Sequence, residues 1–368
     1  ETLEVKNSQL QKAIKKNLQI TNKLDDISSC NIFIVTVSTP IDKNKDPDFK
    51  PLLDVCKKIS KLLKNGDIIV FESTVYPGAT EEICAKELEK NKRSLKSGVD
   101  FFLGYSPERV NPGDKKRTID KINKVISGQN KKVETILFDI YSKLTKGEIF
   151  LAKNIKVAEA SKVIENAQRD INIAFINEVA KICSKLNISI YDVLDASNTK
   201  WNFLPFLPGL VGGHCIGVDP YYLSHKAKEL KVDPEVILSG RRTNDNMPKF
   251  IFKEIQKRLK KKANILFLGV TFKEDVPDLR NSKAIELLSF FRQPKFDVFI
   301  NDPFINDDAY IKYKDLIEKS FDAIILTVPH TFYKEKFLHI KKLLKKDGIL
   351  FDIKGIFRNK NMKNYWSL

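Results

Sequence analysis

Short apolar runs alternate with amphipathic segments through the first part of the chain. The runs have the character of strands buried within a parallel sheet, and the segments between them repeat apolar residues with a helical period. The predicted strands are 31–37, 67–71 and 101–105, and the predicted helices are 51–63 and 79–89. This alternation predicts an α/β unit with a parallel sheet, whose functional loops lie at the carboxyl ends of the strands. Two polar loops, 38–40 and 72–78, follow predicted strands.

The middle of the chain changes to one long helical pattern, Ile155–Leu186. Its apolar residues fall on one predicted stripe, which consists of Val163, Ala167, Ile171, Phe175 and Val179. A helix of this length commonly joins domains or packs against a partner subunit. A second α/β pattern begins near Ala263, with strands predicted at 264–270, 296–300, 323–328 and 349–353 and a helix at 282–291.

Charge alone does not make this a nucleic-acid-binding protein. The chain of 368 residues has a formal net charge of +17, but the excess is mostly lysine spread over separate segments. No basic stripe with interleaved aromatic residues accompanies it, so we expect no nucleic-acid partner. A lysine-rich surface would still attract an anionic substrate such as a nucleotide.

The cysteines and the longest apolar runs restrict the class of protein further. The five cysteines are scattered and contain no C-x-x-C pair, which argues against both a disulfide framework and a zinc site. No apolar run approaches the roughly 18 residues that a bilayer requires, and no signal-peptide pattern opens the sequence. We therefore expect no metal, no membrane span and a reducing, cytoplasmic environment.

One glycine-rich segment, 211–220, carries the strongest chemical signal. It places Cys215 in a turn, four residues before Asp219. Glycines let backbone N–H groups approach a ligand, and an accessible thiolate can attack a carbonyl carbon. The alternative is a buried, inert cysteine on a tight turn.

Four further segments carry weaker signals. Lys162 and Asn166 share one helix face and could stabilise an oxyanion, although a solvated polar face is the simpler interpretation. Glu108 follows a predicted strand and is a candidate base, or else an exposed acid paired with Arg109. Thr74 lies in an earlier loop, where it could also be a helix N-cap. Lys273 follows the first strand of the second α/β pattern.

Taken in order, these segments resemble the UDP-glucose/GDP-mannose dehydrogenase family over essentially the whole chain. The motifs that carry the resemblance are 72–75, 106–109, 162–166, 212–215 and 272–273. The chain is most similar to the branch that acts on UDP-N-acetylhexosamines, and within it to UDP-N-acetylglucosamine 6-dehydrogenases of the Vi-antigen type. Segments 200–206 and 209–222 carry that closer similarity.

The resemblance implies a fold and a domain plan. It implies an α/β protein of two Rossmann-like doubly wound domains joined by a long central helix, which pairs subunits in a homodimer or a higher homo-oligomer. Residues 1–152 would bind NAD, 153–250 would carry the dimer helix and active-site residues, and 251–368 would bind the UDP-sugar.

It also implies a reaction and a set of site residues. NAD would accept electrons twice as the C6 alcohol of the sugar becomes a carboxylate through a thioester on Cys215, giving a precursor for surface polysaccharide. The implied catalytic residues are Cys215, Lys162, Asn166, Asp219, Glu108 and Thr74. The implied cofactor contacts are Thr39, Pro40, Thr74 and Arg280. The implied substrate contacts are Glu108, Arg109, Lys162, Asn166, Gly212, Gly213, Lys273 and Arg241.

Three departures from the family pattern are present; the first two suit the N-acetylhexosamine branch, and the third leaves an alternative open. Pro112 stands where the glucose-type branch has a second glutamate, and Val218 stands where that branch has a lysine. No G-x-G-x-x-G fingerprint is found, so we expect that roughly fifty residues of an opening β-α-β unit are absent. The segment 241–263 is also short for the family. The alternative is a non-catalytic nucleotide-sugar-binding protein that has lost its cofactor half.

Overall fold

Two five-stranded sheets, each in its own unit, organise the part of the chain that the structure describes. The computed structural model describes residue 5 and residues 7–114, 116–259, 262–316 and 319–368. One unit, called the N-terminal unit below, extends to Ala167 and includes Val218–Pro234. The other, the C-terminal unit, comprises Gln168–Gly217 and Glu235–Leu368.

The elements follow one another in the alternating order that the sequence predicts. The strands are β1 (Ile32–Val35), β2 (Ile68–Phe71), β3 (Phe102–Tyr105), β4 (Lys124–Gly128), β5 (Ile149–Leu151), β6 (Ala263–Leu268), β7 (Phe296–Asn301), β8 (Phe321–Leu326), β9 (Leu344–Asp352) and β10 (Tyr365–Ser367). The helices are α1 (Asn7–Lys16), α2 (Lys50–Ser60), α3 (Ala85–Leu88), α4 (Lys131–Leu144), α5 (Ile155–Leu186), α6 (Ile190–Ser197), α7 (Asp219–Glu229), α8 (Glu235–Asp245), α9 (Met247–Gln256), α10 (Lys283–Ser289), α11 (Thr331–Lys334) and α12 (Phe337–Lys342).

The N-terminal sheet has the order β1-β2-β3-β4-β5 and is parallel except at one pair of strands. The three predicted strands are confirmed as β1, β2 and β3, whereas β4 and β5 were not predicted. β4 runs antiparallel to β3, with Gly104 opposite Gly128, so the predicted parallel sheet contains one antiparallel pair that the pattern did not indicate. A parallel neighbour would need a crossover, usually helical, and the described residues between β3 and β4 form only turns and loop.

Helices cover both faces of this sheet. On one face, Leu52 and Ile59 of α2 belong to the same buried cluster as Phe71 of β2. On the other face, Leu137 of α4 packs in a cluster with Ile126 of β4. The side chains of one strand alternate between these clusters, which is the pattern of a doubly wound sheet.

The segment after β2 is held by a buried carboxylate. The predicted helix 79–89 is a π-helical turn, Thr80–Cys84, that continues into α3. Glu159 of α5 accepts the N–H groups of Gly78, at 2.5 Å, and Thr80, at 2.9 Å. These N–H groups stand at a helix start and have no partner within the helix. Burial raises the pKa of Glu159 to about 7, against the lowering effect of these hydrogen bonds.

The C-terminal sheet is parallel throughout, in the order β10-β9-β8-β6-β7. Ile251 of α9 and Leu287 of α10 pack with Phe267 on one face, and Ile340 of α12 packs with Leu266 on the other. The prediction of two Rossmann-like doubly wound folds is thereby confirmed. The sequence pattern did not predict the short edge strand β10.

Helix α5 has the length that the pattern predicts, but its exposed face differs from the predicted stripe. Val163 and Ala167, the first two residues of the predicted stripe, are buried in the N-terminal unit, so that part of the stripe packs within this chain. The exposed apolar side chains of α5 are Val157, Ile164, Phe175, Ile182 and Leu186. At 3.6 residues per turn these five fall within about 20° of one line along the helix. We call this line the α5 stripe.

Gly269 provides a test of the C-terminal fold, because it follows β6 at φ +80° and a Cβ there would lie 2.3 Å from Val328 O. We expect Gly269→Ala to lower the free energy of unfolding by about 3 kcal/mol or more, from backbone strain and steric overlap together. The control is Gly66→Ala, where φ is +88° but the Cβ meets open space. It should cost about 1 kcal/mol. Equal losses in urea denaturation would contradict the close approach at Gly269.

Candidate active site

The first half of α5 presents two buried polar side chains on one face, within the N-terminal unit. Lys162 and Asn166 lie one turn apart and are 7% and 8% exposed, so they do not form a solvated face. Asn166 Nδ2 donates a hydrogen bond to Asp219 Oδ2 at 2.5 Å. Asp219 is the first residue of α7 and is 2% exposed. Three predicted site residues are therefore gathered in one buried place.

Burial dominates the electrostatics of Asp219. Loss of hydration raises its pKa from 3.8 to about 7, while the Lys162 ammonium and the Asn166 hydrogen bond act in the opposite direction. A carboxyl group with a pKa near neutrality can both take up and release a proton at physiological pH. The geometry thus fits Asp219 for proton transfer.

Glu108 occupies a similar environment beyond the end of β3. Burial raises its pKa, and the hydrogen bond from Val110 N–H and the charges of Lys162 and Lys124 oppose that rise. The simpler interpretation of Glu108 was an exposed acid paired with Arg109. Arg109 instead donates to Glu165 Oε1 at 2.6 Å. Glu108 is therefore a partly buried acid among positive charges and not an exposed loop acid.

The loops at the carboxyl ends of β1 and β2 are tied together. Thr39 Oγ1 donates to Thr74 O at 2.6 Å, and the hydroxyl of Tyr222, from α7, donates to Pro40 O at 3.0 Å. This edge of a doubly wound sheet is where nucleotide cofactors bind. The hydroxyl and backbone groups of these two loops are suited to hydrogen bonds with part of an NAD molecule. The described residues contain no glycine-rich loop of the kind that binds the pyrophosphate.

The cysteine loop belongs to the C-terminal unit and depends on two glycines. Gly213 has φ +85°, and a Cβ there would lie 2.7 Å from the Phe272 ring. A Cβ on Gly212 would lie 2.6 Å from Asn281 O, so neither position accepts a side chain without movement. Gly213 N donates to Asn281 O at 3.3 Å, which fixes the loop. Cys215, two residues on, is half-buried and not locked in the core.

Two predicted arginine contacts of the C-terminal unit are engaged with carboxylates. Arg241 is 2% exposed and donates to Asp170 at 2.6 Å and to Asp245 at 2.5 Å. Arg280 is more exposed and forms a two-pronged pair with Asp278. In this structure Arg241 therefore serves first to join α8 to α5.

Lys273 stands in the loop after β6, which a buried polar cluster holds in place. Thr271 Oγ1 donates to Lys273 O at 2.9 Å. Asp302 accepts the N–H groups of Val270, at 2.7 Å, and Thr271, at 3.2 Å, and also contacts His330 Nε2. The loop that carries Lys273 is thus fixed from β7 and from the segment after β8.

The predicted site residues divide between the two units. The N-terminal unit carries Lys162, Asn166, Asp219, Glu108, Thr74, Thr39, Pro40 and Arg109. The C-terminal unit carries Cys215, Gly212, Gly213, Lys273, Arg280 and Arg241. Sequence reasoning missed three residues of the N-terminal unit. Tyr222 donates to Pro40 O, Glu72 accepts the N–H of Glu108 through its backbone oxygen, and Lys124 donates to Pro107 O and pairs with Glu72. The signals available were the position of Glu72 within the motif 72–75, that of Tyr222 within the segment 209–222, and a lysine that opens the apolar segment 124–128.

Three models of one family match consecutive segments of the chain. They describe the NAD binding domain, the central domain and the UDP binding domain of UDP-glucose/GDP-mannose dehydrogenases, and they match residues 2–145, 156–246 and 266–359. The chain belongs to the UDP-glucose/GDP-mannose dehydrogenase family. It is accordingly an NAD-dependent UDP-sugar dehydrogenase.

Individual members of this dehydrogenase family are similar over most of the chain. Protein CapL of Staphylococcus aureus is 48% identical over 93% of this chain and 84% of its own length. The UDP-N-acetyl-D-glucosamine 6-dehydrogenases of Pseudomonas aeruginosa and Salmonella typhi are 46% and 42% identical, each over 96% of this chain and 86% of its own length. The solved structure of the UDP-D-ManNAc dehydrogenase of Pyrococcus horikoshii has a TM-score of 0.88 at 30% identity, covering 98% of this chain and 86% of that one.

The described residues of this family member contain neither a membrane-spanning helix nor a cluster of metal ligands. None of its helices combines the length and the apolar character needed to cross a bilayer. Within the same residues, His, Cys, Asp and Glu side chains form no group of three or more that could hold a metal ion.

The raised pKa of Asp219 makes a prediction about stability. Between the unfolded pKa of about 3.9 and the folded value of about 7, the folded state binds the extra proton. The free energy of unfolding should therefore fall as pH rises from 4 towards 7. The Asp219→Asn variant keeps an oxygen that accepts the hydrogen bond from Asn166. Between pH 4 and 7 its free energy of unfolding should decrease by about 2 to 4 kcal/mol less than that of wild type. Urea denaturation at several pH values measures it, and parallel curves for wild type and variant would show that Asp219 is not buried as an acid.

Proposed function

We propose that this dehydrogenase oxidises the C6 alcohol of a UDP-N-acetylhexosamine, with UDP-N-acetylglucosamine as the preferred substrate, to the uronic acid in two steps. The buried arrangement of Lys162, Asn166 and Asp219 carries the proposal, because it provides two hydrogen-bond donors and an acid with a pKa of about 7 in a place largely shielded from solvent. The relatives named UDP-N-acetyl-D-glucosamine 6-dehydrogenase are 46% and 42% identical, whereas those named UDP-N-acetyl-D-mannosamine dehydrogenase are 31% to 33% identical. This difference supports the choice of the gluco epimer.

Two molecules of NAD+, bound in turn, would supply the oxidant, each accepting one electron pair. Thr39, Pro40 and Thr74 would contact the cofactor from the carboxyl edge of the N-terminal sheet, and Arg280 is the proposed contact from the C-terminal unit. For the chain as a whole, we propose that 1–152 binds NAD, 153–250 forms the central segment and 251–368 binds the UDP-sugar.

Cys215 is the proposed nucleophile. Its thiolate attacks the C6 aldehyde formed in the first oxidation and gives a thiohemiacetal, the second oxidation converts this to a thioester, and water releases the acid. Lys162 and Asn166 donate hydrogen bonds to the negative oxygen that develops during these steps. Such donors act most strongly where water is excluded, as their burial indicates. Covalent capture also keeps the reactive aldehyde from escaping.

Two acids divide the proton transfers. Asp219, with its pKa of about 7, can accept a proton from the sugar alcohol or from water and return it near neutral pH. Glu108 is proposed to assist the hydrolysis of the thioester. Pro112 stands where the glucose-type branch has a second glutamate, so we assign no second acid to this step. Thr74 is proposed to hold the attacking water.

The UDP-sugar contacts are assigned by chemistry. Lys273, in its fixed loop, is the proposed contact to the sugar, and Gly212 and Gly213 let the backbone approach the substrate closely. Arg109 and Arg241 already bind carboxylates of this chain. We therefore propose that they mainly orient neighbouring side chains and contact the substrate less directly. The alternative of a non-catalytic binding protein would leave the buried Lys162 and Asp219 without a purpose.

A panel of UDP-sugars tests the proposed function. With the full-length enzyme and NAD+, UDP-N-acetylglucosamine should give a higher kcat/KM than UDP-glucose. It should also release two NADH per sugar, because both oxidations occur before product leaves. Spectrophotometric NADH release and chromatographic product analysis measure these quantities. A higher kcat/KM for UDP-glucose would overturn the substrate assignment, and a ratio of one with free aldehyde would overturn the two-step reaction.

We further propose a homodimer that pairs through the α5 stripe. Phe175, at the centre of the stripe, is 61% exposed. Soluble proteins rarely leave an aligned row of apolar side chains exposed to solvent unless another surface covers it. Phe175→Glu should convert a dimer into a monomer in sedimentation velocity. The control is Phe150→Glu, on β5, whose phenylalanine is 63% exposed. A monomeric wild type, or a dimeric Phe175→Glu, would contradict the proposal.

A further inference from the structure

Lys124, at the start of β4, is an unusual lysine because it is 3% exposed. Its Nζ donates to Pro107 O at 3.2 Å, lies 3.5 Å from Glu72 Oε1 and stands 4.9 Å above the ring of Tyr141. Burying an ammonium group is costly unless a counter-charge and hydrogen bonds compensate for its lost hydration. Lys124 has both, and Pro107 immediately precedes Glu108.

Glu72, the counter-charge, is linked to Glu108 by a second route. Glu108 N donates to Glu72 O at 3.3 Å, so the backbone of the two acids is joined where β2 and β3 end. The Glu72 carboxylate in turn accepts a hydrogen bond from the Tyr141 hydroxyl of α4. Lys124 therefore binds the carbonyl oxygen of the residue before Glu108, and its partner Glu72 binds the backbone N–H of Glu108 itself.

We propose that Lys124 and Glu72 are positioning residues for Glu108, and that their opposite charges fix the pH range in which Glu108 promotes hydrolysis of the thioester. The inference rests on the proposed function, which assigns hydrolysis to Glu108. Lys124 and Glu72 need not touch the substrate. Both act through contacts with the backbone of 106–108 and through the electrostatic potential at the Glu108 carboxyl group.

Within the described residues, three charged side chains act on the Glu108 carboxyl. Lys162 faces it from α5, Lys124 from β4 and Glu72 from the end of β2. Both lysines lower the pKa of Glu108, whereas Glu72 raises it, against the larger rise that burial causes. Removing Lys124 or Glu72 should therefore move the titration of Glu108 in opposite directions. A purely structural role for the pair would not produce opposite shifts.

The test uses near-isosteric, charge-removing variants of the full-length enzyme. The quantity measured is the rate of sugar-acid release in a single turnover, as a function of pH. Lys124→Met should shift the acid limb of this profile to higher pH, and Glu72→Gln should shift it to lower pH, each by about half a unit or more. In the double variant the acid limb should lie close to that of wild type, because removing both charges cancels their opposite effects on Glu108. The control, Lys132→Met, changes an exposed lysine on α4 and should leave the profile unchanged.

The outcomes separate this inference from the function on which it rests. If wild type forms no uronic acid from any UDP-sugar, the proposed function fails before the variants are compared. If wild type is active and both acid limbs coincide with its own, or shift in the same direction, the positioning role is overturned. Should Lys124→Met not fold, as judged by circular dichroism, Glu72→Gln alone decides. Its carboxamide retains an oxygen for the Tyr141 hydroxyl, and an unshifted or upward-shifted limb would refute the inference.

Discussion

The hydrogen bond from Asn166 to Asp219 is the contact on which the N-terminal site depends. It fixes the first residue of α7 against the buried face of α5 and places a carboxylate where hydration is lost. From that start α7 continues to Tyr222, whose hydroxyl holds Pro40 at the end of β1. One buried bond therefore orients the acid, the helix that follows it and one of the loops proposed to contact the cofactor.

Burial sets the proton chemistry of this site, and the neighbouring lysines moderate it. Asp219 and Glu108 both have raised pKa values because hydration is lost, and in each case Lys162 opposes the rise. Removing Lys162 would leave two acids more difficult to ionise, so its charge serves the acids as well as the developing oxyanion. The Lys124–Glu72 pair extends this alternation of charge behind Glu108.

Local sequence patterns predicted the elements well because they depend on short-range periodicity and on glycine. The bounds of α5 and most strands of both sheets followed from these patterns, and so did the shared face of Lys162 and Asn166. The antiparallel β4, the α5 stripe and the carboxylate partners of Arg241 did not, since each depends on which distant segment packs against the element. Lys124 illustrates the limit most clearly: a lysine at the start of a strand is ordinarily solvated, and only the tertiary structure shows that this one is buried against Glu72 and Pro107.

The covalent step through Cys215 is the central claim, and intact-protein mass spectrometry tests it most directly. Glu108→Gln should slow the release of acid, so that full-length enzyme given UDP-N-acetylglucosamine and NAD+ accumulates an adduct of the oxidised UDP-sugar, acyl-linked through sulfur. Peptide mapping should place the added mass on the peptide that contains Cys215, and Cys215→Ser in the same background should carry no thioester. Uronic acid formation at an undiminished rate by Cys215→Ala, with no adduct on any variant, would contradict the account.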